Sequence, residues 1–525
     1  MKWFSLPWTV ALALCLGSPL ALSAAERPNI LFIMTDDHAS HSLSCYGSKI
    51  NQTPNLDRLG ADGIRFDRAF VCNSICTPSR ATVLTGKYSH LNGTPVFNLF
   101  DGAQQTVAKL LQTGGYHTMM VGKWHLGSAP TGFDYWNILP GQGRYFDPIL
   151  YTAEGARVHP GYATEVITDI GIEALKNRPK DKPFFMMLHH KAPHREWQPD
   201  AVNAAKFANL TIPEPASLRD DYATRPAALP ENAQTVRRDL TRRDLKLTPP
   251  ENLTQQEKNK WLAVKPDELE IEQNGVKKTL TGEELFAWKY QKYMKDYLAC
   301  VQGVDDQVGR LRAWLETEGL SKNTVVIYTT DNGFFLGDNG MYDKRFMYEP
   351  SLRIPLLVSW PGVIKAGSAT ELFAINADYA PTFLDMAGLP VPNDMQGRSL
   401  VPVLKGESPK GWRSSMYYRY YHDPGHHNTR AHYGVRTQTH KLIYYWKKNA
   451  WELFDLVKDP TEQQNIYEAP ESAGLIATLK AELARLRVEL KDDDQFANEI
   501  PKDGVDGGVL KWQPGQGPNG PTAKQ

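Results

Sequence analysis

The sequence predicts an α/β fold, in which a large, mixed and mostly parallel sheet lies between helices and a smaller α+β unit follows. Two observations lead to this prediction. Short, continuously apolar runs alternate with helical patterns, which is typical of a parallel sheet covered on both faces. After residue 385 the pattern changes to several short strands separated by turns, followed by one amphipathic helix.

The N-terminus has the organisation of a secretory signal peptide. Lys2 precedes an apolar run at 8–22, and small residues follow at 23–25. The run is too short and too close to the start for a convincing membrane span. We therefore expect residues 1–25 to be cleaved, and the protein to be periplasmic or secreted without stable insertion in a membrane.

Four predicted strands each end in a cluster of polar residues. The run 29–34 is followed by Asp36 and Asp37, and the run 118–121 by Lys123 and His125. The run 184–188 is followed by the segment from His189 to His194, and the run 324–328 by Asp331 and Asn332. Ligands of parallel sheets bind outside the carboxyl ends of the strands. The pattern therefore gathers carboxylates, histidines and a lysine at one site.

Residues 26–385 are expected to form the catalytic domain. Before the fourth strand, apolar residues from Tyr297 to Leu315 recur at helical spacing. Residues 205–285 differ, because they are charged, rich in proline and weakly periodic. We interpret this segment as a surface insertion over the sheet that can contribute to the rim of the site.

Residues 386–500 are expected to form a smaller subdomain with an antiparallel sheet and a helix. The predicted strands are 416–421, 433–437, 441–446 and 452–456, and the helix carries leucines from Leu475 to Leu490 on one face. The aromatic, histidine-rich stretch 417–432 fits either a sugar-stacking wall or the core of the small sheet. Residues 501–525, rich in Gly and Pro, predict a disordered tail.

Composition excludes several classes of protein. The 59 Lys and Arg residues balance 59 Asp and Glu, so there is no global basic field to hold nucleic acid. The 5 cysteines are too few for a disulfide scaffold. A negatively charged substrate must therefore be bound by local positive groups. The arginine pairs at 237–238 and 242–243 fit either a solvated face or contact with an acidic glycan.

The most specific motif is Cys-Thr-Pro-Ser-Arg at 76–80, continued by Leu-Thr-Gly at 84–86. Pro78 suits the first turn of a helix, because it lacks an N–H there and its φ is preset. Cys76 would then lie at the helix N-terminus, which favours an anion, and Arg80 supplies a fixed positive charge in the same turn. The alternative is a buried structural cysteine beside a helix start.

Asp36, Asp37, Asp331 and Asn332 form a second constellation. Three carboxylates and an amide oxygen at strand ends make an all-oxygen site, which suits Ca²⁺ or Mg²⁺ better than zinc. Without a cation, like-charge repulsion would make this convergence costly. Taken alone, Asp36 and Asp37 also fit a helix cap or a turn.

These motifs resemble those of the type I sulfatases. The first signature of that family begins Cys-x-Pro-Ser-Arg and ends Leu-Thr-Gly, as at 76–86 here. Its second signature, Gly-Tyr-x-Thr followed by Gly-Lys-x-His, appears at 115–118 and 122–125. The resemblance implies an alkaline-phosphatase-like fold. It also implies that a separate formylglycine-generating or sulfatase-maturating enzyme converts Cys76 to formylglycine (3-oxoalanine), whose aldehyde hydrate is the nucleophile.

The resemblance further implies which residues bind the metal and the sulfate. Asp36, Asp37, Asp331, Asn332 and the converted Cys76 would hold Ca²⁺, with Mg²⁺ as the alternative. The remaining implied catalytic residues are Arg80, Lys123, His125, His194 and Lys344. Considered singly, each such lysine is more often a solvated surface group and each such histidine a structural one.

Sulfate ester hydrolysis explains why these residue types are needed. Cations must hold the sulfonate oxygens, and an acid must protonate the poor alkoxide leaving group. In the mechanism implied by the resemblance, Asp331 takes a proton from the metal-polarised aldehyde hydrate, which attacks sulfur, while Lys344 holds the sulfonate. His194 protonates the leaving sugar oxygen. His125 then deprotonates the second hydroxyl, which regenerates the aldehyde and expels sulfate; Arg80 and Lys123 would hold the hydrate.

Three segments indicate the substrate. Residues 209–215, 343–349 and 432–437 resemble the mucin-desulfating, N-acetylglucosamine-6-sulfatase-like branch, which implies 6-O-sulfated N-acetylglucosamine in a host or marine glycan. Two alternatives stay open. One is a phosphonate or phosphate monoester hydrolase on the same scaffold. The other is an inactive glycan-binding protein in which Cys76 is never oxidised.

Overall fold

The structure is a computed structural model that describes residues 27–273 and 275–505. The expected signal peptide at 1–25 lies outside these residues, as does the part of the expected tail at 506–525. None of the helices in the described part of the chain combines the length and the apolar character that a membrane span requires.

The strands, numbered in chain order, fall into a large sheet and several smaller ones. The first ten are β1 Asn29–Thr35, β2 Ile64–Phe66, β3 Ala69–Phe70, β4 His117–Lys123, β5 Tyr135–Leu139, β6 Ile149–Thr152, β7 Gly155–Val158, β8 Phe184–His189, β9 Glu268–Gln273 and β10 Val276–Thr281. Then follow β11 Thr324–Thr330, β12 Phe335–Leu336, β13 Tyr342–Asp343, β14 Arg353–Ile354, β15 Leu356–Ser359, β16 Ser368–Thr370 and β17 Ala374–Ile375. The last four are β18 Ser415–Tyr420, β19 His432–Thr437, β20 His440–Tyr445 and β21 Ala450–Asp455.

The α-helices are numbered in the same way. They are α1 Pro54–Ala61, α2 Cys76–Thr85, α3 Ser89–Asn92, α4 Val107–Thr113, α5 Ala163–Asn177, α6 Ala201–Phe207 and α7 Val236–Asp239. They continue with α8 Gln255–Leu262, α9 Gly282–Thr317, α10 Glu349–Leu352, α11 Tyr379–Met386, α12 Val401–Leu404 and α13 Ala473–Glu489.

The large sheet has ten strands in the order β16-β2-β15-β11-β1-β8-β4-β5-β6-β7. Its centre is parallel, because β1 pairs in parallel with β11 and β8, and β4 pairs in parallel with β8 and β5. Antiparallel pairs appear toward both edges, between β11 and β15 and between β5, β6 and β7. The predicted mixed, mostly parallel sheet is therefore confirmed.

Alternate side chains of β1 supply two separate cores, one on each face of the sheet. Leu31 and Ile33 pack with helices α1, α5 and α9, whereas Ile30 and Phe32 pack with α2, α4 and α11. Both faces are therefore covered, which explains why β1 is apolar throughout instead of alternating with polar residues.

The register of the central strands positions the site. β1 and β11 pair from Asn29 with Thr324 to Thr35 with Thr330, so both strands end at the same edge. Asp36 and Asp331 are the next residues of the two strands and therefore emerge side by side. This follows directly from the equal spacing of parallel pairing.

The segment expected as a surface insertion, 205–285, contains α7, α8 and the hairpin β9–β10 before α9 begins. Its arginines form surface contacts. Arg237 pairs with Glu283, Arg243 lies 3.5 Å from Glu196, and Arg242 lies over the ring of Trp261.

The smaller C-terminal unit is a four-stranded antiparallel sheet, β18 to β21, covered by α13. Tyr417, Tyr418 and Tyr420 of β18 are buried in one hydrophobic core, with Tyr417 on the face of the sheet opposite to Tyr418 and Tyr420. Of the two interpretations of the aromatic stretch, the core of the small sheet therefore accounts for the tyrosines. The predicted smaller α+β unit is confirmed.

Candidate active site

Cys76 lies where the motif predicts, at the first residue of α2. Ile75 before it is extended, and Pro78 occupies the first turn. The Cys76 thiol is buried and donates to Asp36 Oδ1 over 3.4 Å, while the amide nitrogen of Asn332 lies 3.7 Å from the sulfur. The thiol therefore contacts residues from two separate strand ends.

The four candidate metal ligands converge with Cys76. Asp36, Asp37, Asp331 and Asn332 are fully buried. Ligand atoms of the three aspartates and the sulfur of Cys76 all lie within 4.8 Å of one another. The backbone N–H of Asp37 donates to Asp331 Oδ1 over 3.1 Å, which locks the ends of β1 and β11 together.

Burial and mutual repulsion separate the acidities of these carboxylates. Burial, with the charges of Asp36 and Asp331, raises the pKa of Asp37 to about 7. The pKa of Asp331 is also raised, by burial and by Asp36. Burial would raise the pKa of Asp36 too, but the positive charges led by Lys123 outweigh it and hold that pKa well below its usual range.

The residues present fit a hard divalent cation. The candidate ligand atoms are oxygens of residues that follow two strands, β1 and β11. Asn332 Oδ1 is buried without a hydrogen-bond partner among the described residues. A cation would satisfy this oxygen and relieve the repulsion that raises the pKa of Asp37. The site can therefore hold Ca²⁺ or Mg²⁺ with Asp36, Asp37, Asp331 and Asn332.

Arg80 connects several elements beneath the candidate ligands through hydrogen bonds. Its Nε donates to Asp331 Oδ2 over 2.9 Å and its Nη1 to the backbone oxygen of Lys123 over 2.6 Å. The Nδ1 of His189 lies 3.3 Å from the same Nη1. Arg80 thus joins α2 to the ends of β11, β4 and β8, and His189 serves this structural contact.

Lys123 and Lys344 each pair with a different aspartate. The buried ammonium of Lys123 contacts Asp36, and that of Lys344 contacts Asp37. Lys123 also donates to Gln142 Oε1 over 2.6 Å. Gln142 belongs to the loop between β5 and β6 and is a site residue that no sequence pattern indicated.

The two candidate catalytic histidines come from different loops, His125 from the loop after β4 and His194 from the loop after β8. His194 Nε2 lies 3.6 Å from Asp37 Oδ2, and its Nδ1 is 2.6 Å from the carbonyl oxygen of Arg195, so Nδ1 carries the hydrogen of that bond. His125 has a positive φ of 51°, and its carbonyl accepts from Thr77 Oγ1 over 2.8 Å. This bond ties His125 to the residue after Cys76.

A second polar cluster, which sequence reasoning did not identify, flanks Lys344. His427 Nε2 lies 2.9 Å from Asp343 Oδ2, and Arg345 Nη1 lies 2.7 Å from Asp343 Oδ1. Arg195, the neighbour of His194, reaches the same His427 at 3.2 Å. The sequence signals were the run at 343–345 and the histidine-rich stretch 417–432, which contains His427 but fits a sheet core as well as a sugar contact.

The structure thus brings together every residue that the sequence assigned to the site. They form one connected group on the carboxyl edge of the sheet, listed as Asp36, Asp37, Cys76, Arg80, Lys123, His125, His194, Asp331, Asn332 and Lys344. The remaining described thiols, Cys45, Cys72 and Cys300, are free rather than bridged.

Comparison with protein families shows which family the chain belongs to. The model of the family described as "Sulfatase" matches residues 28–389, and that described as "N-sulphoglucosamine sulphohydrolase, C-terminal" matches residues 337–489. The chain belongs to the sulfatase family. It is therefore a sulfuric ester hydrolase by family.

Curated relatives of this sulfatase include enzymes named for N-acetylglucosamine 6-sulfate. The N-acetylglucosamine-6-O-sulfatase of Bacteroides thetaiotaomicron is 46% identical over 494 residues, which cover 90% of this chain and 88% of the relative. The human N-acetylglucosamine-6-sulfatase is 28% identical over 434 residues, covering 77% of this chain and 69% of that one.

Solved structures share the fold of this sulfatase. A protein in complex with its substrate D-glucosamine-2-N,6-O-disulfate superposes with a TM-score of 0.83 at 44% identity, covering 90% of this chain and 100% of that one. The phosphonate monoester hydrolase of Agrobacterium radiobacter superposes with a TM-score of 0.63 at 23% identity, covering 88% and 96%. The second likeness concerns the fold alone.

Proposed function

We propose that this sulfatase hydrolyses the 6-O-sulfate ester of N-acetylglucosamine in a glycan. The observation that carries the proposal is the contact of Cys76 with Asp36 at the N-terminus of α2, within an all-oxygen site. The name of the 46% identical relative supports this choice of sugar and position.

Cys76 acts as the precursor of the nucleophile. Burial, followed by the charge of Asp36, raises the pKa of the Cys76 thiol well above its usual value, so the unmodified side chain stays neutral. A neutral thiol is a weak nucleophile. This supports conversion of Cys76 to formylglycine by a separate maturating enzyme, and the hydrated aldehyde then supplies the attacking oxygen.

A bound divalent cation supplies charge that acidifies and orients this oxygen. We propose Ca²⁺, held by Asp36, Asp37, Asp331 and Asn332. We assign the proton of the attacking hydroxyl to Asp331, whose Oδ2 accepts a hydrogen bond from Arg80 Nε in α2. Asp331 can therefore accept this proton without moving.

Lys123, Lys344 and Arg80 hold negative charge. Each is buried and already paired with a carboxylate, so none needs to reorganise when the sulfate ester binds. Such fixed charges stabilise a developing anion more strongly than mobile surface lysines do. We assign the sulfonate oxygens to Lys344, and the hydrated residue 76 to Lys123 and Arg80.

His194 and His125 move the protons. Burial, followed by the charge of Lys123, holds the pKa of His194 well below its usual range in the free protein. The negative charge of a bound sulfate ester favours the protonated ring, which can then protonate the leaving sugar oxygen. His125, tied to Thr77, takes the proton from the second hydroxyl of residue 76.

The sugar itself meets the cluster beside Lys344. Asp343 and Arg345 are buried, His427 is partly buried, and the Nε of Arg345 has no hydrogen-bond partner among the described residues. A carboxylate accepts hydrogen bonds and a guanidinium donates them, so the two groups together can bind neighbouring hydroxyl groups of one sugar ring. We propose that this cluster binds the hydroxyls of the sulfated residue.

The reaction takes place outside the cytoplasm. The predicted signal peptide at 1–25 and the polymeric nature of sulfated glycans both support a periplasmic or secreted enzyme. A maturating enzyme must then modify Cys76 before the chain folds, because Cys76 is fully buried in the folded protein.

Release of sulfate from defined sugars tests the proposal. N-acetylglucosamine 6-sulfate, its 3-sulfate isomer, an aryl sulfate and the matching aryl phosphate are incubated with matured enzyme, and free sulfate or phosphate is quantified. We expect the 6-sulfate to be the preferred sugar and the aryl sulfate to exceed the aryl phosphate. Preference for the phosphate would instead support the phosphomonoesterase alternative.

Substitution of Cys76 tests the nucleophile. Cys76→Ala, and nearly as severely Cys76→Ser, should lower turnover by at least about 10³-fold, because neither residue forms the aldehyde hydrate. Cys45→Ala, which alters a thiol far from α2 in sequence, is the control. A variant at position 76 that folds and keeps near-wild-type rates refutes the assignment.

A further inference from the structure

The C-terminal segment Asp503–Val505 is hydrogen-bonded to Phe97. The Phe97 N–H donates to Asp503 Oδ1 over 3.2 Å. Its carbonyl accepts from the N–H groups of Gly504 and Val505, at 2.9 and 3.0 Å. Both backbone groups of Phe97 are therefore satisfied by a segment 406 residues away along the chain.

The ring of Phe97 lies against His125. The two ring centroids are 5.8 Å apart with an interplanar angle of 50°, and Phe97 is almost completely buried. The carbonyl of His125 is held by Thr77, but a backbone bond does not set the orientation of an imidazole ring. Packing against Phe97 supplies part of that orientation.

The same carboxylate of Asp503 also binds the C-terminal subdomain. His422, in the turn after β18, places Nε2 at 3.0 and 3.1 Å from the two oxygens of Asp503. Val505 is buried, and a Cβ at Gly127, two residues after His125, would approach its Cγ2 to 3.1 Å. Asp503–Val505 thus joins three distant parts of the chain beside the site.

We propose that Asp503–Val505 is a clasp and that Asp503 is a positioning residue, which acts through Phe97 on the ring of His125. The proposal rests on the proposed function in assigning His125 to a proton transfer. Asp503 itself does not reach the reacting atoms in this account. Its contribution is to keep Phe97, and through it His125, in one orientation.

The position of the clasp predicts which kinetic step depends on it. His125 acts after the leaving group has departed, so substrate binding should depend little on Asp503. A small displacement of a catalytic group is enough to lower a rate by one or two orders of magnitude. Loss of the clasp should therefore lower kcat by about ten-fold or more and lower KM by a similar factor, because kcat/KM contains only the steps up to departure of the leaving group.

Two shortened chains and two substitutions distinguish the effect of the clasp on the rate from the effect of the residues that follow it. One chain ends at residue 500 and lacks the clasp. The matched control ends at residue 508, so it keeps Asp503–Val505 and removes only later residues. Asp503→Ala removes both side-chain contacts, whereas Asp503→Asn keeps an oxygen for the Phe97 N–H and should restore part of the rate.

Three measurements on matured protein are compared between these chains. They are kcat and KM on an aryl sulfate, the ratio of first-turnover to steady-state release of the phenol, and the melting temperature. We expect the chain ending at 500 and Asp503→Ala to lose steady-state rate more than first-turnover rate. Equal losses of both rates, or equal kcat in the chains ending at 500 and 508, would overturn the proposal.

A crystal structure of Asp503→Ala provides a readout that does not depend on turnover. We expect the centroids of Phe97 and His125 to separate beyond the present 5.8 Å. An unchanged separation and ring angle would overturn the clasp even if the enzyme were active. A wild-type protein that releases no sulfate would instead contradict the proposed function, while the ring separation would still decide the role of Asp503.

Discussion

At the scale of single residues, the site is a balance of buried charges. Asp36, Asp37 and Asp331 face three buried cations, Arg80, Lys123 and Lys344. The two sets cancel in formal charge, so a bound divalent ion leaves a net positive site. Such a site attracts a sulfate monoester, although the protein as a whole has a net charge of +0.

Calcium should therefore stabilise the folded protein as well as support turnover. A ligand that binds only the folded state adds about 2.7 kcal/mol at a concentration of 100 times its Kd. We expect the melting temperature to rise with added Ca²⁺, and EDTA to abolish sulfate release reversibly. Asp37→Asn should reduce the Ca²⁺-dependent rise, because it removes one ligand charge.

Asp385→Asn is the matched control for this titration, because Asp385 is exposed and lies in α11, outside the candidate ligand set. It should show the full rise of the wild type. A melting temperature that does not respond to Ca²⁺, or responds equally in Asp37→Asn, would contradict the assignment of the metal site.

The sequence predicted those site residues that a motif or a strand end marks, and missed the others. Cys76 and Arg80 share one helical turn, and Asp331 directly follows an apolar strand, so local pattern was sufficient. Gln142 and His427 come from loops whose course depends on packing between distant elements. No local periodicity encodes such a course, so no pattern in the sequence indicated Gln142, and His427 was marked only by the ambiguous stretch 417–432 that contains it.

At the scale of elements, the small sheet contains a buried acid. Glu452 of β21 is fully buried and accepts hydrogen bonds from the hydroxyls of Tyr348 and Tyr445, at 3.0 and 2.9 Å. Burial raises its pKa from 4.5 to about 7, although the two tyrosines act in the opposite direction. The folded sheet therefore favours the protonated acid.

This raised pKa predicts how stability depends on pH. Between about pH 4.5 and about pH 7, folded Glu452 retains a proton that the unfolded chain has lost, so stability falls as pH rises. The slope is about 1.4 kcal/mol per pH unit for one group. Glu452→Gln should remove this contribution and flatten the dependence, as measured by urea unfolding at several pH values.

The control for this series is Glu468→Gln, which changes an exposed glutamate of the same subdomain. It should keep the wild-type slope. Glu462, whose pKa is also raised to about 7 by burial, leaves a residual slope in every variant. An identical slope in Glu452→Gln and wild type would contradict the account.

Elements with strong patterns were predictable, and short edge elements were not. β1 and β11 are continuously apolar because both faces of the sheet are covered, and the sequence alone placed them within two residues. Strands β2 and β16, which pair in parallel at one edge of the large sheet, are three residues long, too short for a period to emerge. The first half of α9 also escaped prediction, because it packs against the charged insertion.

At the scale of the whole molecule, buried ion pairs dock the C-terminal sheet on the catalytic domain. Glu349 begins α10, five residues after Lys344. Arg436 of β19 binds both of its oxygens at 3.2 Å, and Lys441 of β20 lies 3.0 Å from it. Lys441 also donates to Glu462 over 2.5 Å. Docking is thus connected to the loop that carries Lys344, to which we assign the sulfonate oxygens.

Removing one partner of this network should lower the free energy of unfolding. Lys441→Met removes a positive partner from the buried carboxylate of Glu462 and from the partly buried carboxylate of Glu349, and breaking a buried pair destabilises by about 3 to 5 kcal/mol. We expect a lower free energy of unfolding in urea and a loss of activity as the Lys344 loop loosens. The exposed Lys447, changed to Met, should remain within about 0.5 kcal/mol of wild type.

If Lys441→Met and Lys447→Met were equally stable, the ion network would not hold the two parts together. The sequence could not predict this docking. Arg436 and Lys441 lie on predicted strands where either residue would normally point to solvent, and Glu349 lies 87 residues before Arg436. These residues form ion pairs only because the C-terminal sheet packs against the catalytic domain at this point.

The most direct test of the whole account is the mass of the tryptic peptide 69–80 from active enzyme. This peptide contains Cys72 as well as Cys76, so it carries an internal control. We predict that residue 76 has lost its sulfur and two hydrogens and gained an oxygen, that Cys72 remains a thiol, and that the converted fraction follows the rate of sulfate release. Fully active protein with an unmodified Cys76 would contradict the account.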